Sequence, residues 1–175
     1  MNEVMECIMN RRSVRSYNDE LPTGEQLETI IKAGLYAASG MNDQPWYFAA
    51  VQQPQLVAQA RELLGGDPFY GANTIIFAFV DPQAHTPMQS VSLALGNMML
   101  AAESLGVCSC WINAPSKGMF DSQQGQAFAG QLGVPAGYRC AGSLAVGFTD
   151  QSIPAAKPRR AGTYKIFKCA QQYEN

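Results

Sequence analysis

From Met88 to Leu105 the apolar residues Val91, Leu93, Leu95, Met98, Met99, Leu100, Ala101 and Leu105 fall on every side of a helix axis. A helix that is apolar all round needs cover all round. The chain has 175 residues, enough for one domain and short for two, since domains run to about 100–200 residues. A single domain of that size has little room to bury such a helix alone. The segment is therefore expected in a subunit interface or through the domain centre, where Ser92, Asn97 and Glu103 need polar partners. Composition points the same way. Apolar residues make up 47% of the chain and charged ones 15%, below the roughly 25% charged of typical domains, which excludes disorder and predicts that part of the surface is covered in an oligomer.

The rest of the chain alternates helical and strand patterns. Val4, Cys7, Ile8 and Met9 predict a short amphipathic helix that stops at Arg11. Thr23 and Gln26 form a capping box ahead of an apolar stripe, predicting a helix over 25–38. The turn-forming stretch from Ser39 to Pro45 leads into a strand over 46–51, and Pro54 opens a helix over 55–64. The run from Thr74 to Val80 reads as a strand buried on both faces, with two more strands over 107–112 and 138–148 and a weaker helix over 123–132 between them. An alternating run from Tyr164 to Cys169 predicts an edge strand. Four or five strands with four or five helices make an α+β or α/β sandwich.

Charge and cysteine usage narrow the function. A net charge of −2 excludes a general nucleic-acid binder. No apolar stretch reaches the roughly 18 residues that span a bilayer, and the first residues lack a signal peptide's pattern, so a cytoplasmic protein without membrane partners is expected. Five cysteines without a framework read as reduced thiols. Cys108 and Cys110 share one strand face, but C-x-C spacing and a single histidine, His85, argue for small buried side chains over a metal site. Nucleotide-fold glycine motifs and G-x-S-x-G are absent, and one histidine leaves little for hydrolytic catalysis.

The cations are unevenly placed. Arg11, Arg12 and Arg15 lie near one end, and Lys157, Arg159, Arg160, Lys165 and Lys168 near the other, leaving Lys32, Arg61, Lys117 and Arg139 for the middle. If the two ends meet, they form one phosphate clamp, because guanidinium groups bind phosphate bidentately. The same charges also suit solvated terminal segments. A clamp without acid/base machinery is what an enzyme shows when a cofactor carries the chemistry.

Arg11-Arg12-Ser13-Val14-Arg15-Ser16-Tyr17, then Ala38-Ser39-Gly40-Met41-Asn42-Asp43-Gln44-Pro45-Trp46, then the stretch from Leu105 to Ile112 and Lys157-Pro158-Arg159 near the end, resemble in order the motifs of the FMN-dependent nitroreductase family. The resemblance covers nearly the whole chain. It implies an α+β fold, a central mixed, mainly antiparallel sheet flanked by helices, in a single domain over 1–175. It further implies a homodimer with FMN in the interface and the segment from about 157 packed on the partner. Arg11 and Arg159 would hold the phosphate with Lys157 or Arg160, beside Arg12, and Ser13 would reach phosphate or ribityl oxygen. Arg15 would stand at the pyrimidine edge of the flavin, where a cation favours the anionic reduced form. Ser39, Asn42 and Gln44 would reach the partner's flavin. Gly118, in Pro115-Ser116-Lys117-Gly118, would donate to flavin N5, although Lys117 stands where the family carries an acid. The implied reaction takes hydride from NADH or NADPH onto the flavin and passes it to a small electron-poor acceptor, a nitroaromatic or quinone, in ping-pong fashion, with no catalytic side chain and no metal. A dehydrogenase, dehalogenase or flavin-cleaving enzyme of the same fold, or a flavin-binding protein without turnover, is the alternative.

Overall fold

A computed structural model describes residues 2–167. In chain order the elements are α1 (Glu3–Asn10), α2 (Gly24–Leu35), β1 (Trp46–Val51), α3 (Pro54–Leu63), β2 (Thr74–Val80), α4 (Pro87–Ser104), β3 (Cys108–Ile112), α5 (Gln123–Gln131) and β4 (Arg139–Gly147), with 3-10 turns at Gly40–Asn42 and Ala114–Ser116. The expected capping box opens α2: the Thr23 hydroxyl accepts from Gln26 N, and the Gln26 side chain accepts from Thr23 N.

The four strands form one sheet in the order β1-β2-β4-β3, with every neighbouring pair antiparallel. β2 is buried at all its positions, as its unbroken apolar run requires. Its alternate residues supply two cores. Ile75, Phe77 and Phe79 pack on one face among Val57, Phe69 and Phe128, which come from α3, α5 and the loop after α3. Ile76, Ala78 and Val80 pack on the other against Ile30 of α2 and Val91, Leu95 and Met98 of α4. A β-bulge between Ala78 and Phe79 of β2 sets Gly142 opposite Ala78 and Cys140 opposite Phe79. That shift moves Cys140 onto the Phe79 face and Ala141 onto the other.

One expectation is narrowed, since α4 does not run covered on all sides through the domain centre, and one is corrected. The protomer covers α4 on one side only: Val91, Ala94, Leu95, Met98 and Ala102 are buried, whereas Met88 is exposed and Leu93 is 53% exposed. Of its polar residues, Asn97 donates to Ala33 O at 3.2 Å. The edge strand over 164–169 does not form within the described residues. Residues 164–167 are exposed and unpaired with the sheet, and 168–169 lie outside the described residues.

Candidate functional site

The N-terminal arginine segment is built into the sheet. Ser13 forms a parallel bridge with Ser109 of β3, and Val14 N donates to Ser109 O at 3.1 Å, so the segment runs alongside β3 there. This one parallel bridge lies outside the four antiparallel strands, so the sheet itself is antiparallel and not mixed as expected. Tyr17 pins the far end by donating from its hydroxyl to Ala145 O of β4 at 3.1 Å. Burial raises its pKa, and the neighbouring Cys110 and Cys108 thiols push the same way against Arg15.

The arginines in this segment have different fates. Arg11 Nη1 is buried and has no hydrogen-bond partner among the described residues, a state that native proteins rarely leave unexplained. Arg12 is committed elsewhere. Its Nη1 donates to Met9 O, Asn10 O and Arg11 O at 2.7, 2.8 and 2.8 Å, satisfying the last carbonyls of α1, and its Nε donates to Pro154 O at 3.2 Å. Arg12 therefore caps a helix and ties it to the tail, a role its adjacency to Arg11 did not reveal. Arg15 Nη1 donates to Ser13 O at a long 3.4 Å, which leaves its guanidinium largely open. Burial raises the Cys110 thiol above its ordinary value, and Arg15, the Ser13 hydroxyl and Arg11 all oppose it. Arg11, Ser13 and Arg15 thus surround one position of β3.

The N-terminal segment meets residues 149–154, which precede the cations of the tail. Ser13, Val14 and Arg15 face Thr149, Gln151, Ser152 and Pro154 across a cavity of about 240 Å³. Thr149, Gln151 and Ser152 carried no sequence signal, since a Thr-Asp-Gln-Ser run reads as an ordinary polar turn. Farther out, Lys157, Arg159 and Arg160 are exposed and make no side-chain hydrogen bond or ion pair among the described residues.

Ser39, Asn42 and Gln44 stand apart from this group. Their loop precedes β1, at the opposite edge of the sheet. Four strand spacings separate β1 from the Ser13 segment, roughly 19 Å at the usual spacing. The loop also lies near the Arg139 end of β4, through Trp46↔Val80 and Val80↔Arg139, whereas Ser109 pairs near the other end, at Val146; that adds roughly 20 Å along the strands. Within one chain the two groups occupy opposite corners.

The loop is itself strained and clamped. Met41, Asn42 and Gln44 have φ of 53°, 58° and 47°, left-handed values costly for side-chain-bearing residues. Gly40 packs so closely on Thr86 that a Cβ would collide with its hydroxyl, Gln44 N donates to Ser39 Oγ at 3.1 Å, and His85 N donates to Asp43 Oδ2 at 3.1 Å.

Gly118 follows β3 and the Ala114–Ser116 turn, at the end of β3 toward which the Arg11–Arg15 segment runs. Its φ is 96°, a conformation open to glycine. Gly118 thus follows the C-terminal end of β3, the strand that Ser13 bridges.

The Nitroreductase family model matches residues 8–67 and 49–148. The chain belongs to the Nitroreductase family. This nitroreductase-family chain is 31% identical over 141 residues to an Archaeoglobus fulgidus protein that carries the provisional name NADH dehydrogenase/NAD(P)H nitroreductase, covering 77% of this chain and 79% of that one. It is 31% identical over 135 residues to FMN reductase (NADPH) of Bacillus subtilis, covering 64% of this chain and 54% of that enzyme. Its fold superposes on the crystal structure of a nitroreductase with bound FMN from Bacteroides fragilis with a TM-score of 0.89 and 31% identity, over 96% of this chain and all of that one. No helix among the described residues is long and apolar enough to cross a membrane.

Proposed function

We propose that the protein is an FMN-dependent oxidoreductase that works as a homodimer, taking reducing equivalents from NADH or NADPH and delivering them to a small electron-poor acceptor. The observation that carries this reading is the buried, unpartnered Nη1 of Arg11. A phosphate oxygen there would satisfy the orphaned donor with a charge-assisted hydrogen bond. The open guanidinium of Arg15 suits the pyrimidine end of the ring system, where negative charge develops on reduction. Gly118, with its left-handed backbone, offers an N–H. These three would take the phosphate, the pyrimidine edge and N5 of FMN, which, when bound, supplies two-electron chemistry between a nicotinamide and an acceptor. Lys157, Arg159 and Arg160 would close on the phosphate from the tail.

The loop carrying Ser39, Asn42 and Gln44 sits too far away to join that site within one chain, so it would serve the site of a second copy. Uncovered apolar surface supports such pairing. α1 is amphipathic, yet none of its residues is buried, and Val4, Met5, Ile8 and Met9 lie open, as do Met88 and Leu93 of α4. The cover that α4 needs by sequence would come from the partner, as would a seat for the tail's exposed Tyr164, Ile166 and Phe167.

Purified protein is expected to be yellow, to carry one FMN per chain, to run as a dimer, and to bleach anaerobically on adding NADH or NADPH. A colourless protein that cannot be reconstituted with FMN would retire this reading.

A further inference from the structure

Two cavities, of about 390 and 660 Å³, share Phe120, Asp121, Tyr138 and Arg139 and so form one cleft between the 113–121 turn, α5 and the start of β4. Its size is that of a small-molecule site. The wall is aromatic: Phe120 stacks on Phe128 at 6.1 Å and meets the edge of Phe79 at 4.9 Å, and Tyr138 is half-buried beside them. Cys140, brought to this face by the bulge, closes the floor.

The cleft is also electrically polarised. Arg139 begins β4 and makes no ion pair or side-chain hydrogen bond among the described residues. Arg61, by comparison, is engaged by Asp67 and Ala72 O. Asp121 stands at the other end, where its Oδ2 would lie 3.3 Å from a Cβ placed on Gly118. The two opposite charges share a cavity without pairing, so the cleft is positive at β4 and negative at Gly118. An anionic group on a flat ligand would be drawn to Arg139 and kept from Gly118 by Asp121, fixing which end of the ring points to each.

We propose that this cleft binds a planar aromatic carboxylate, with the carboxylate on Arg139, the ring along Phe120 and Tyr138, and the opposite substituent directed to Gly118. That this ligand is the electron acceptor rests on the FMN reading above, because it places the acceptor's reducible end beside the residue assigned to the flavin.

The test is calorimetric titration of the FMN-loaded protein with 4-nitrobenzoate and with its neutral isostere 4-nitrobenzamide. Nitrobenzoate should bind about two- to fivefold more tightly, the weight of one charge pair at the exposed Arg139. Arg139→Gln should remove that preference and leave nitrobenzamide unchanged, with Arg139→Lys restoring part of it. Asp121→Asn should tighten nitrobenzoate, a shift of opposite sign, and Lys117→Gln, on the turn but outside the cleft lining, should change nothing. Equal affinity for the two ligands, or a preference that survives Arg139→Gln, overturns the site. A protein that binds in this pattern but is not reduced by NADH or NADPH loses the oxidoreductase reading and keeps the ligand site. One that is reduced but shows no Arg139-dependent preference keeps the reading and loses the site.

Discussion

The two cationic segments of this chain look alike in sequence and differ in the fold. The Arg11–Arg15 stretch is pinned by a bridge to β3 at one side and by the Tyr17 hydroxyl on β4 at the other, and it holds one guanidinium nitrogen buried without a partner. The Lys157–Arg160 stretch is exposed and joined to the N-terminal segment only at its base, through Arg12 and Pro154 O. Equal charge does not make equal sites. A preorganised cation has lost its water and its freedom during folding, so a ligand gains nearly the full interaction, whereas an exposed one must still be ordered when the ligand arrives.

The largest effect expected from this difference is at Arg11. Arg11→Ala should weaken FMN binding by about 10- to 150-fold, the span of one charge-assisted hydrogen bond, measured by flavin fluorescence on reconstitution. Neutralising the tail at any one position, by Lys157→Gln, Arg159→Gln or Arg160→Gln, should cost no more than about fivefold, since an exposed charge pair is worth about 0.2–1 kcal/mol. It should leave the unfolding midpoint of the apoprotein unchanged. A tail variant that loses more flavin than Arg11→Ala would break the comparison, and would mean that the tail becomes the more ordered half of the clamp once assembled.

The anchoring of the N-terminal segment gives a pH signature that the tail lacks. Tyr17 has its pKa raised, so the unfolded chain releases this proton near pH 10 while the folded chain keeps it to higher pH. The unfolded state then holds fewer protons, and stability falls as pH rises past that point. The buried thiols act in the same sense from about pH 9, with Cys140 pushed up to about 12 by burial. Tyr17→Phe should cost about 1 kcal/mol at neutral pH for the lost hydrogen bond and should flatten the fall in urea midpoint between neutral and strongly alkaline pH. An unaltered slope in Tyr17→Phe would mean that the cysteines carry the whole effect.

Much of the fold was legible because it rests on periodicity. β2 announced burial on both faces by its unbroken run, and α2 announced its start by Thr23 and Gln26. The tail misled because Tyr164 to Phe167 alternate like a strand yet lie exposed and unpaired with the sheet. Pairing is a property of the partner surface and is not written in the segment itself. At the site, motif order marked Arg11, Ser13, Arg15 and Gly118 as residues to watch without saying where the sheet would put them. What it could not supply was the task of Arg12, because the α1 carbonyls that claim its guanidinium are brought to it only by the fold. Asp121 and Arg139 were invisible as a pair, since a turn, a helix and a bulged strand are needed to place them in one cleft.

The loop at residues 39–44 is a third case, clamped like the N-terminal segment but held in strain, and it yields the smallest effect. At Gln44, φ is 47°, where a side-chain-bearing residue pays about 1–2 kcal/mol that glycine avoids, against about 0.5–1 kcal/mol of added chain entropy for glycine. Gln44→Gly should therefore be more stable than Gln44→Ala by about half a kcal/mol, although both lose the same 3.4 Å hydrogen bond from the side chain to Asn42 Oδ1. At Glu28, exposed on α2, the sign reverses, and Glu28→Gly should fall about 1 kcal/mol below Glu28→Ala. Comparing the two pairs by denaturant unfolding of the apoprotein isolates the backbone contribution from every side-chain contact. If glycine is the poorer choice at both positions, the loop is not strained in solution, and its left-handed residues do not amount to a structure held ready for the site of a second copy.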